Sequence, residues 1–396
     1  MKAHLVLAGW YRPGTGFTRV LQSLLPSLVR QHRITWLGIG YQGPPQTLGP
    51  DVELLPTNLR GGDICGAYWL RQNWPQLAPD AVLVLNDLWY LAHHARELAA
   101  IKGETPLLGY LPLDGRLQRS EWVRGLAGFD RLCTYTEVAA RDLTAALAAE
   151  QLDIAVGVAG HGVDHQRFVP LLDPTRDELL AERMRRAQAL FGLDAPAPVI
   201  LNASRPDPRK GLELSVRAFA LAWRRRPGLR LCLHQAIGHE GIGAELRALA
   251  ESLGVAGQVL YWPPRSGPLS DEELNQLYNA CALGLNTALG EGFGLVSFEQ
   301  AACAVPQLLP DHAALAELWA DAALRIPVQP CRFEYSPLQM AAIDVEAAAA
   351  SMVDVLDDPA AYAERALACR QHTLAAQFDW RKVAQDLMRF LHLPHD

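Results

Sequence analysis

A chain of 396 residues is long enough for two or three domains, each burying its own core. Its 50% hydrophobic and 20% charged residues exclude a disordered or fibrous protein. The 36 Lys and Arg against 43 Asp and Glu leave a net charge of -7, which argues against nucleic acid as a partner.

The first half alternates short apolar runs with helical spacing. His4–Ala8 reads as a strand, RPGTG at 12–16 as a turn, Thr18–Arg30 as a helix and Ile34–Ile39 as a second strand. Similar runs at Ala81–Leu85, Leu107–Leu111 and Arg131–Thr134 are each followed by a helical or polar segment, the pattern of a parallel, doubly wound sheet. The pattern halts in HGVDHQRFVP at 161–170, so the boundary is placed at 168, and Asp173–Gly192 reads as one charged helix. From residue 198 a second α/β series begins. Its strands are VILNAS, LRLCLHQA, QVLYW and ALGLNTA, and its helices are Gly211–Arg224, Gly243–Gly254, Asp271–Ala280 and Leu295–Ala304. The stretch Val345–Leu393 reads as largely helical, with Pro359 opening a helix. The expected domains are 1–168, 169–375 and a C-terminal helix over 376–396.

The apolar start breaks at once into Pro and Gly, too short for a signal segment, and no run reaches the ~18 apolar residues of a membrane span. The seven cysteines are scattered, include no CxxC pair, and read as buried thiols of a reducing compartment. A cytoplasmic location is expected, and a cysteine-based zinc site is not.

Two segments carry the chemistry. NTALGEGFGLVSFEQ at 286–300 reads as a strand end, a Gly-rich turn and a helix start. Gly292 and Gly294 permit close backbone approach, and the first free amides of the helix, at Leu295–Ser297, can hold an anion. Glu291 and Glu299 flank that turn as acceptor-only carboxylates suited to hydroxyls on either side of a diphosphate. NASRPDPRKG at 202–211 sets Arg205, Arg209 and Lys210 at a strand's carboxyl end, where they can neutralise a leaving pyrophosphate.

These two elements together resemble the donor-site signature of retaining glycosyltransferases of family 4: R-x4-K-G at 205–211, then E-x7-E at 291–299 about 80 residues later. The resemblance is firm over 198–330 and weaker in the N-terminal half, where Thr15 splits Gly14 and Gly16 in place of the family's Gly-Gly loop. It implies a GT-B fold, two Rossmann-like domains facing a cleft, with the C-terminal helix packing back on the N-terminal domain. Arg205 and Lys210 would bind the donor diphosphate. Glu291 and the amides of Phe293 and Gly294 would hold the sugar hydroxyls, the Leu295 and Val296 amides would meet phosphate, and Glu299 would bind the ribose. Catalytic roles fall to Asp114, Arg205, Lys210 and Glu291, and donor contacts extend to Gly14, Gly16 and Gly292. No metal and no cofactor are expected, because side-chain cations and helix amides neutralise the leaving group.

Asp114 in YLPLDG ends a predicted strand and resembles the position where relatives carry a His or Asp near the reacting sugar, although Asp before Gly also forms ordinary turns. Asn86-Asp87 is similarly placed. His161-Gly162-Val163-Asp164 resembles the family's N-G-V-D junction with His in place of Asn. Asp311-His312 and Glu317 fall near the nucleotide rim or form a capped surface helix. Arg116, Arg119 and Arg124 with Trp122 make residues 115–128 a basic patch, a candidate contact with anionic lipid at the inner membrane face or with a phosphorylated acceptor, against the simpler reading of a solvated helix.

The leading expectation is transfer of a sugar, with retention, from a UDP- or GDP-linked donor to a glycan or lipid-linked acceptor hydroxyl, as in polysaccharide or lipopolysaccharide assembly. The departing phosphate oxygen would deprotonate the acceptor, with no protein nucleophile. A sugar-nucleotide epimerase or phosphorylase on the same fold, and a catalytically silent sugar-nucleotide-binding protein, are the competing readings.

Overall fold

The computed structural model describes residues 2–57, 59–234, 241–263, 267–334, 336 and 338–393. In chain order the first elements are β1 (Ala3–Trp10), α1 (Gly16–Leu28), β2 (His32–Ile39), β3 (Gln46–Gly49), β4 (Val52–Pro56), α2 (Ala67–Leu77), β5 (Ala81–Leu85) and α3 (Leu88–Leu98). They continue with β6 (Leu107–Tyr110), β7 (Arg116–Leu117), β8 (Arg131–Thr134), α4 (Glu137–Ala149) and β9 (Ala155–Val158). The later part runs α5 (Leu179–Phe191), β10 (Val199–Asn202), α6 (Leu212–Arg225), β11 (Arg230–His234), α7 (Ile242–Ser252), β12 (Val259–Trp262) and α8 (Asp271–Ala280). After these come β13 (Leu283–Leu285), α9 (Leu295–Ala302), β14 (Gln307–Pro310), α10 (Ala313–Trp319), β15 (Leu324–Ile326), β16 (Val328–Cys331) and β17 (Leu338–Ile343). Three helices, α11 (Val345–Asp357), α12 (Pro359–Thr373) and α13 (Trp380–Phe390), end the chain.

The chain divides into two compact units, residues 1–162 with 335–338 and 377–396, and residues 163–334 with 339–376. The sequence reading sets the boundary at 168, but Phe168 is buried against Tyr278, ring centroids 5.7 Å apart, and so belongs with the second unit.

Among the described residues the first unit holds a sheet in the order β3-β4-β2-β1-β5-β6-β8-β9, parallel except for β3 against β4. Its central strands read as near-continuous apolar runs, as strands covered on both faces must: Leu5–Ala8 and Val82–Leu85 are fully buried. Helix α13 packs on α1 and on β9 in this unit, as the resemblance implies. Its Asp379 side chain accepts from the Arg381 and Lys382 amides, the usual solution for unpaired first-turn donors.

The second unit holds a parallel sheet in the order β12-β11-β10-β13-β14-β15, and an antiparallel pair, β16 and β17. The order reverses between β10 and β13, so their carboxyl ends form the switch point at which open α/β sheets take ligands. Ile200, Leu231, Leu283 and Leu308 lie in the core beneath it, fully buried. Helix α8 starts at a capping box, Ser270 with Glu273, and α12 starts at Pro359 behind the Asp358 cap.

The strands expected at 81–85 and 131–134 and the helix at 271–280 coincide with β5, β8 and α8. The single helix expected over 173–192 forms only from Leu179, because Pro174 and the Asp173 side chain, which accepts from the Thr175 amide and hydroxyl, hold the entry as a turn. The last two residues of the LRLCLHQA strand lie outside the described residues. The seven cysteines are free thiols, buried except for the half-buried Cys331. Among the described residues no helix is long and apolar enough to cross a membrane.

Candidate functional site

The two chemistry-bearing segments leave the adjacent strands β10 and β13 at the switch point, and the first layer that holds them is a polar network beneath. The Asn202 amide donates to Ser215 Oγ at 2.9 Å and to Thr287 Oγ1 at 3.2 Å, and the Ser215 and Thr287 hydroxyls meet at 2.8 Å. Thr287 lies 2.9 Å from the Gly211 carbonyl, and the Leu289 amide donates to the Arg209 carbonyl at 2.8 Å. Asn202, Ser215 and Thr287 are fully buried. Partnered in this way, buried polar groups hold one loop arrangement, since any alternative strands a donor or acceptor away from water.

Gly211 is the hinge of that layer. It has φ +57, a left-handed conformation, and a Cβ there would stand 2.5 Å from the Thr287 carbonyl oxygen. Only glycine lets the 202–211 segment lie against the one after β13 and then enter α6.

Above this layer sits Glu291, 7% exposed. Lys210 Nζ is 2.6 Å from its Oε1, the Arg209 guanidinium is 3.7 Å from its Oε2 and also donates to the Gly290 carbonyl, and the Asn286 amide donates to it at 3.3 Å. Burial alone would raise the Glu291 pKa, but the charges of Lys210 and Arg209 outweigh it and hold the carboxyl at about 2. Glu291 is therefore an anion throughout the neutral range. It can accept hydrogen bonds and balance cations but has no proton to give.

Helix α9 opens beside it. Gly294 is the N-cap at φ +86 and has no side chain with which to cap the helix, so among the described residues the first-turn amides of Leu295 and Val296 are left as donors at the positive end of the helix dipole. Gly292 and Phe293 form the turn before it, and Phe293 stacks on Phe298 at 4.8 Å, which fixes the turn to the helix. Glu299, one helical turn in and 5% exposed, accepts from the Tyr278 phenol at 3.1 Å. His312, the N-cap of α10, meets the Ala288 carbonyl through Nε2 at 3.0 Å; burial lowers its pKa, against that hydrogen bond and the nearby Glu291 charge. His312 thus joins the loop that carries Glu291, while Asp311 turns away to pair with Arg325 at 2.7 Å.

Arg205 stands apart from this cluster. It is exposed, on the segment between Ser204 and the short turn that Asp207 caps, whereas Arg209 reaches the carboxylate. The structure brings Lys210, Glu291, Gly292, Phe293, Gly294, Leu295, Val296 and Glu299 together beyond the carboxyl ends of β10 and β13, with Arg205 at the exposed margin.

The remaining site residues lie in the first unit. Gly14 is in the turn after β1 and Gly16 opens α1, where Thr18 Oγ1 ties the turn by accepting from the Arg12 amide and donating to the Trp10 carbonyl. Asp114 is half-buried past the carboxyl end of β6. Asp87 stands at the N-cap position of α3 without a side-chain capping bond, and the buried Asn86 accepts from the Asp87 amide at 2.9 Å and the Trp10 indole at 3.3 Å. Tyr135 follows β8, and its phenol pKa is raised by burial and then by the charges of Asp87 and Asp114, so all three groups share that edge of the sheet. His161 packs among Tyr110, Tyr135 and Trp380, and burial lowers it to about 3, a neutral packed imidazole. In the 115–128 segment Arg116 pairs with Asp142 at 2.7 Å, Arg124 with Glu150, and Arg119 with Glu121 at 3.2 Å, so each arginine already has a carboxylate.

Tyr278, Asn286 and Thr287 were not singled out in the sequence as individual carriers of the site, whereas His312 was read with Asp311 and Glu317 as near the nucleotide rim or on a capped surface helix. The signal for two of them is visible in retrospect: the apolar run of β13 ends abruptly in Asn286-Thr287, two polar residues that must find partners when buried.

Residues 141–387 match the family described as "Family 4 Glycosyltransferase in conflict systems". A D-inositol 3-phosphate glycosyltransferase of Segniliparus rotundus is 33% identical over 60% of this chain and 48% of its own length. The enzyme of the same name from Rhodococcus erythropolis is 30% identical over 81% of this chain and 65% of its own. The chain therefore spans between about half and two thirds of the length of these relatives. Among solved structures, Anabaena HepE in complex with UDP and glucose superposes with a TM-score of 0.72 at 17% identity, over 99% of this chain and 100% of that one, a likeness of fold. With the family match covering more than half of its residues and the GT-B fold extending over its whole length, the chain belongs to the family 4 glycosyltransferases.

Proposed function

We propose that the protein transfers a sugar from a nucleotide-sugar donor to an acceptor hydroxyl, with retention at the transferred carbon. The donor belongs to the second unit and the acceptor to the first. The observation that carries this reading is the buried Glu291 with Lys210 at 2.6 Å and Arg209 at 3.7 Å, set beside the uncapped start of α9.

Without ligand, Glu291 is the counter-ion of the two cations. When a donor enters, its diphosphate takes over as partner of Lys210, Arg209, the exposed Arg205 and the Leu295 and Val296 amides, which frees Glu291 to accept from sugar hydroxyls. Glu299 takes the ribose hydroxyls. As the glycosidic bond to phosphate breaks, negative charge grows on the leaving oxygen, where the cations and the helix start stabilise it, so a metal ion is not required. Glu291, ionised and fixed, stabilises positive charge at the sugar. That same leaving oxygen takes the acceptor proton on the face it departs from.

A UDP-linked donor is supported by the HepE complex with UDP and glucose, with GDP-linked donors the alternative. A sugar or polyol acceptor is supported by the inositol-phosphate glycosyltransferases. Contact with a membrane through 115–128 rests on the exposed Trp122, because the arginines of that segment are ion-paired.

The test is thermal stabilisation of the full chain by UDP, GDP, ADP and their sugar conjugates, with and without a chelator, beside Glu299→Ala. Stabilisation by one nucleotide family, lost in the variant, is the expected result. Stabilisation by none refutes the reading, and stabilisation that the chelator abolishes refutes metal independence.

A further inference from the structure

Arg183 on α5 is fully buried, and among the described residues its guanidinium pairs with no carboxylate. It gathers main-chain carbonyls instead. Nη1 is shared among Asn279, Cys281 and Tyr278 at 3.0, 3.3 and 3.4 Å, and Nη2 donates to Cys303 and Ala304, each at 2.8 Å. These carbonyls lie at the C-terminal ends of α8, whose C-cap is Cys281, and of α9, whose C-cap is Cys303. Helix C-termini leave carbonyls unpaired and present the negative end of the dipole, so one buried cation serves both ends. Only a planar fork can do this: the two helices are held by different nitrogens of one rigid group.

The same two helices carry the pair at the nucleotide side of the site. Tyr278 of α8 donates to Glu299 of α9 at 3.1 Å, and α9 begins at Gly294 with those first-turn amides. An eight-residue helix is a rigid rod of about 12 Å, so a shift at its C-terminus is a shift at its start. Ala304, just beyond α9, is held at φ +57, a conformation that a non-glycine residue adopts at a cost and that the Arg183 bond to its carbonyl helps to hold.

We infer that Arg183 is a positioning residue for nucleotide recognition: by joining the ends of α8 and α9 it sets the Tyr278–Glu299 pair, and through it the grip on ribose hydroxyls. This rests on the proposal that Glu299 binds the ribose.

The experiment measures binding of UDP, GDP and ADP, and of their 2′,3′-dideoxy diphosphates, to the full chain by calorimetry in wild type, Arg183→Lys, Arg183→Gln and Tyr278→Phe. For the nucleotide that the wild type binds, Arg183→Lys and Tyr278→Phe each weaken affinity about tenfold, the dideoxy analogue changes by less than twofold, and a further variant that combines Arg183→Lys with Tyr278→Phe is no worse than either single one. Equal weakening of both nucleotides, or no weakening, overturns the inference. Failure of both Arg183 variants to fold overturns it too, since Arg183 would then be a general core residue. Hydrogen exchange of the unliganded protein is the second arm: residues 299–304 exchange at least tenfold faster in a folded Arg183 variant while the β10 and β11 amides do not change, and unchanged exchange at 299–304 overturns the inference. If the wild type binds no nucleotide, the proposed function fails and the role in nucleotide recognition with it, while the exchange arm still decides whether Arg183 holds the ends of α8 and α9 together.

Discussion

Replacing Glu291 by glutamine removes a charge without removing volume, and its effect on the unliganded protein is set by the pair it breaks. The Glu291 carboxyl falls from an ordinary value of 4.5 to about 2 in the folded protein. A depressed carboxylate pKa contributes stability above the unfolded value and loses it as pH falls through the folded one. The difference corresponds to about 3 kcal/mol at neutral pH, since each pKa unit is ~1.4 kcal/mol. The Lys210 and Arg209 side chains, 12% and 17% exposed, would be left without their carboxylate, a loss in the same range as breaking a buried pair. Melting of Glu291→Gln at pH 7 should fall by about 6–12 °C, given 2–4 °C per kcal/mol in a unit of this size. The gap between wild type and variant should narrow steadily as pH drops from 4.5 toward 2, because only the wild type has a carboxyl at position 291 to protonate there, while the other carboxylates titrate in both. Nucleoside diphosphate should raise the melting point of the variant more than that of wild type, since the cations no longer exchange one anion for another. Conjugation of the sugar should add nothing further in the variant. Differential scanning calorimetry across pH and ligand checks all of this. A variant that melts within about 2 °C of wild type at pH 7, or that gains less from the diphosphate than wild type does, refutes the counter-ion argument.

Two further substitutions test the backbone on either side of the site. Gly211→Ala combines a left-handed φ of +57 with a Cβ 2.5 Å from the Thr287 carbonyl, and should cost at least ~2 kcal/mol by urea midpoint; a loss below about 0.5 kcal/mol would show that the segment can move aside. Ala304→Gly should stabilise by about 1 kcal/mol, because glycine adopts its φ of +57 without the Cβ penalty while the carbonyl still accepts from Arg183; an unchanged or lowered midpoint would show no strain there.

Much of the fold was legible because apolar runs of strand length alternate with helical spacing, and because Pro359 sits at the first position of its helix, where its missing amide costs nothing. Among what escaped were elements whose burial pattern is weak. Strand β3 is mostly exposed and antiparallel, and β16 carries exposed residues and a proline, so neither has the apolar run that marks the central strands. The boundary at 162–163 was not legible either, since Phe168 joins the second unit through a ring contact with Tyr278, 110 positions later in the chain.

The candidate site shows where spacing stops being informative. R-x4-K-G identifies two cations by position, but a third, Arg209, lies between them, and only the local turn decides which of the three meets Glu291. Asp207 caps that turn by accepting from the Arg209 amide, the Arg209 carbonyl is taken by Leu289, and Gly211 bends the chain toward α6. These backbone bonds aim Arg209 and Lys210 inward and leave Arg205 exposed. An inward cation must have a counter-ion in the empty site, and Glu291 supplies it at the point where a donor's diphosphate would later compete. An exposed cation needs none, since water serves, and Arg205 can meet an incoming phosphate without first breaking a pair. The three basic residues therefore differ in what binding asks of them: Lys210 and Arg209 exchange one partner for another, and Arg205 gains one.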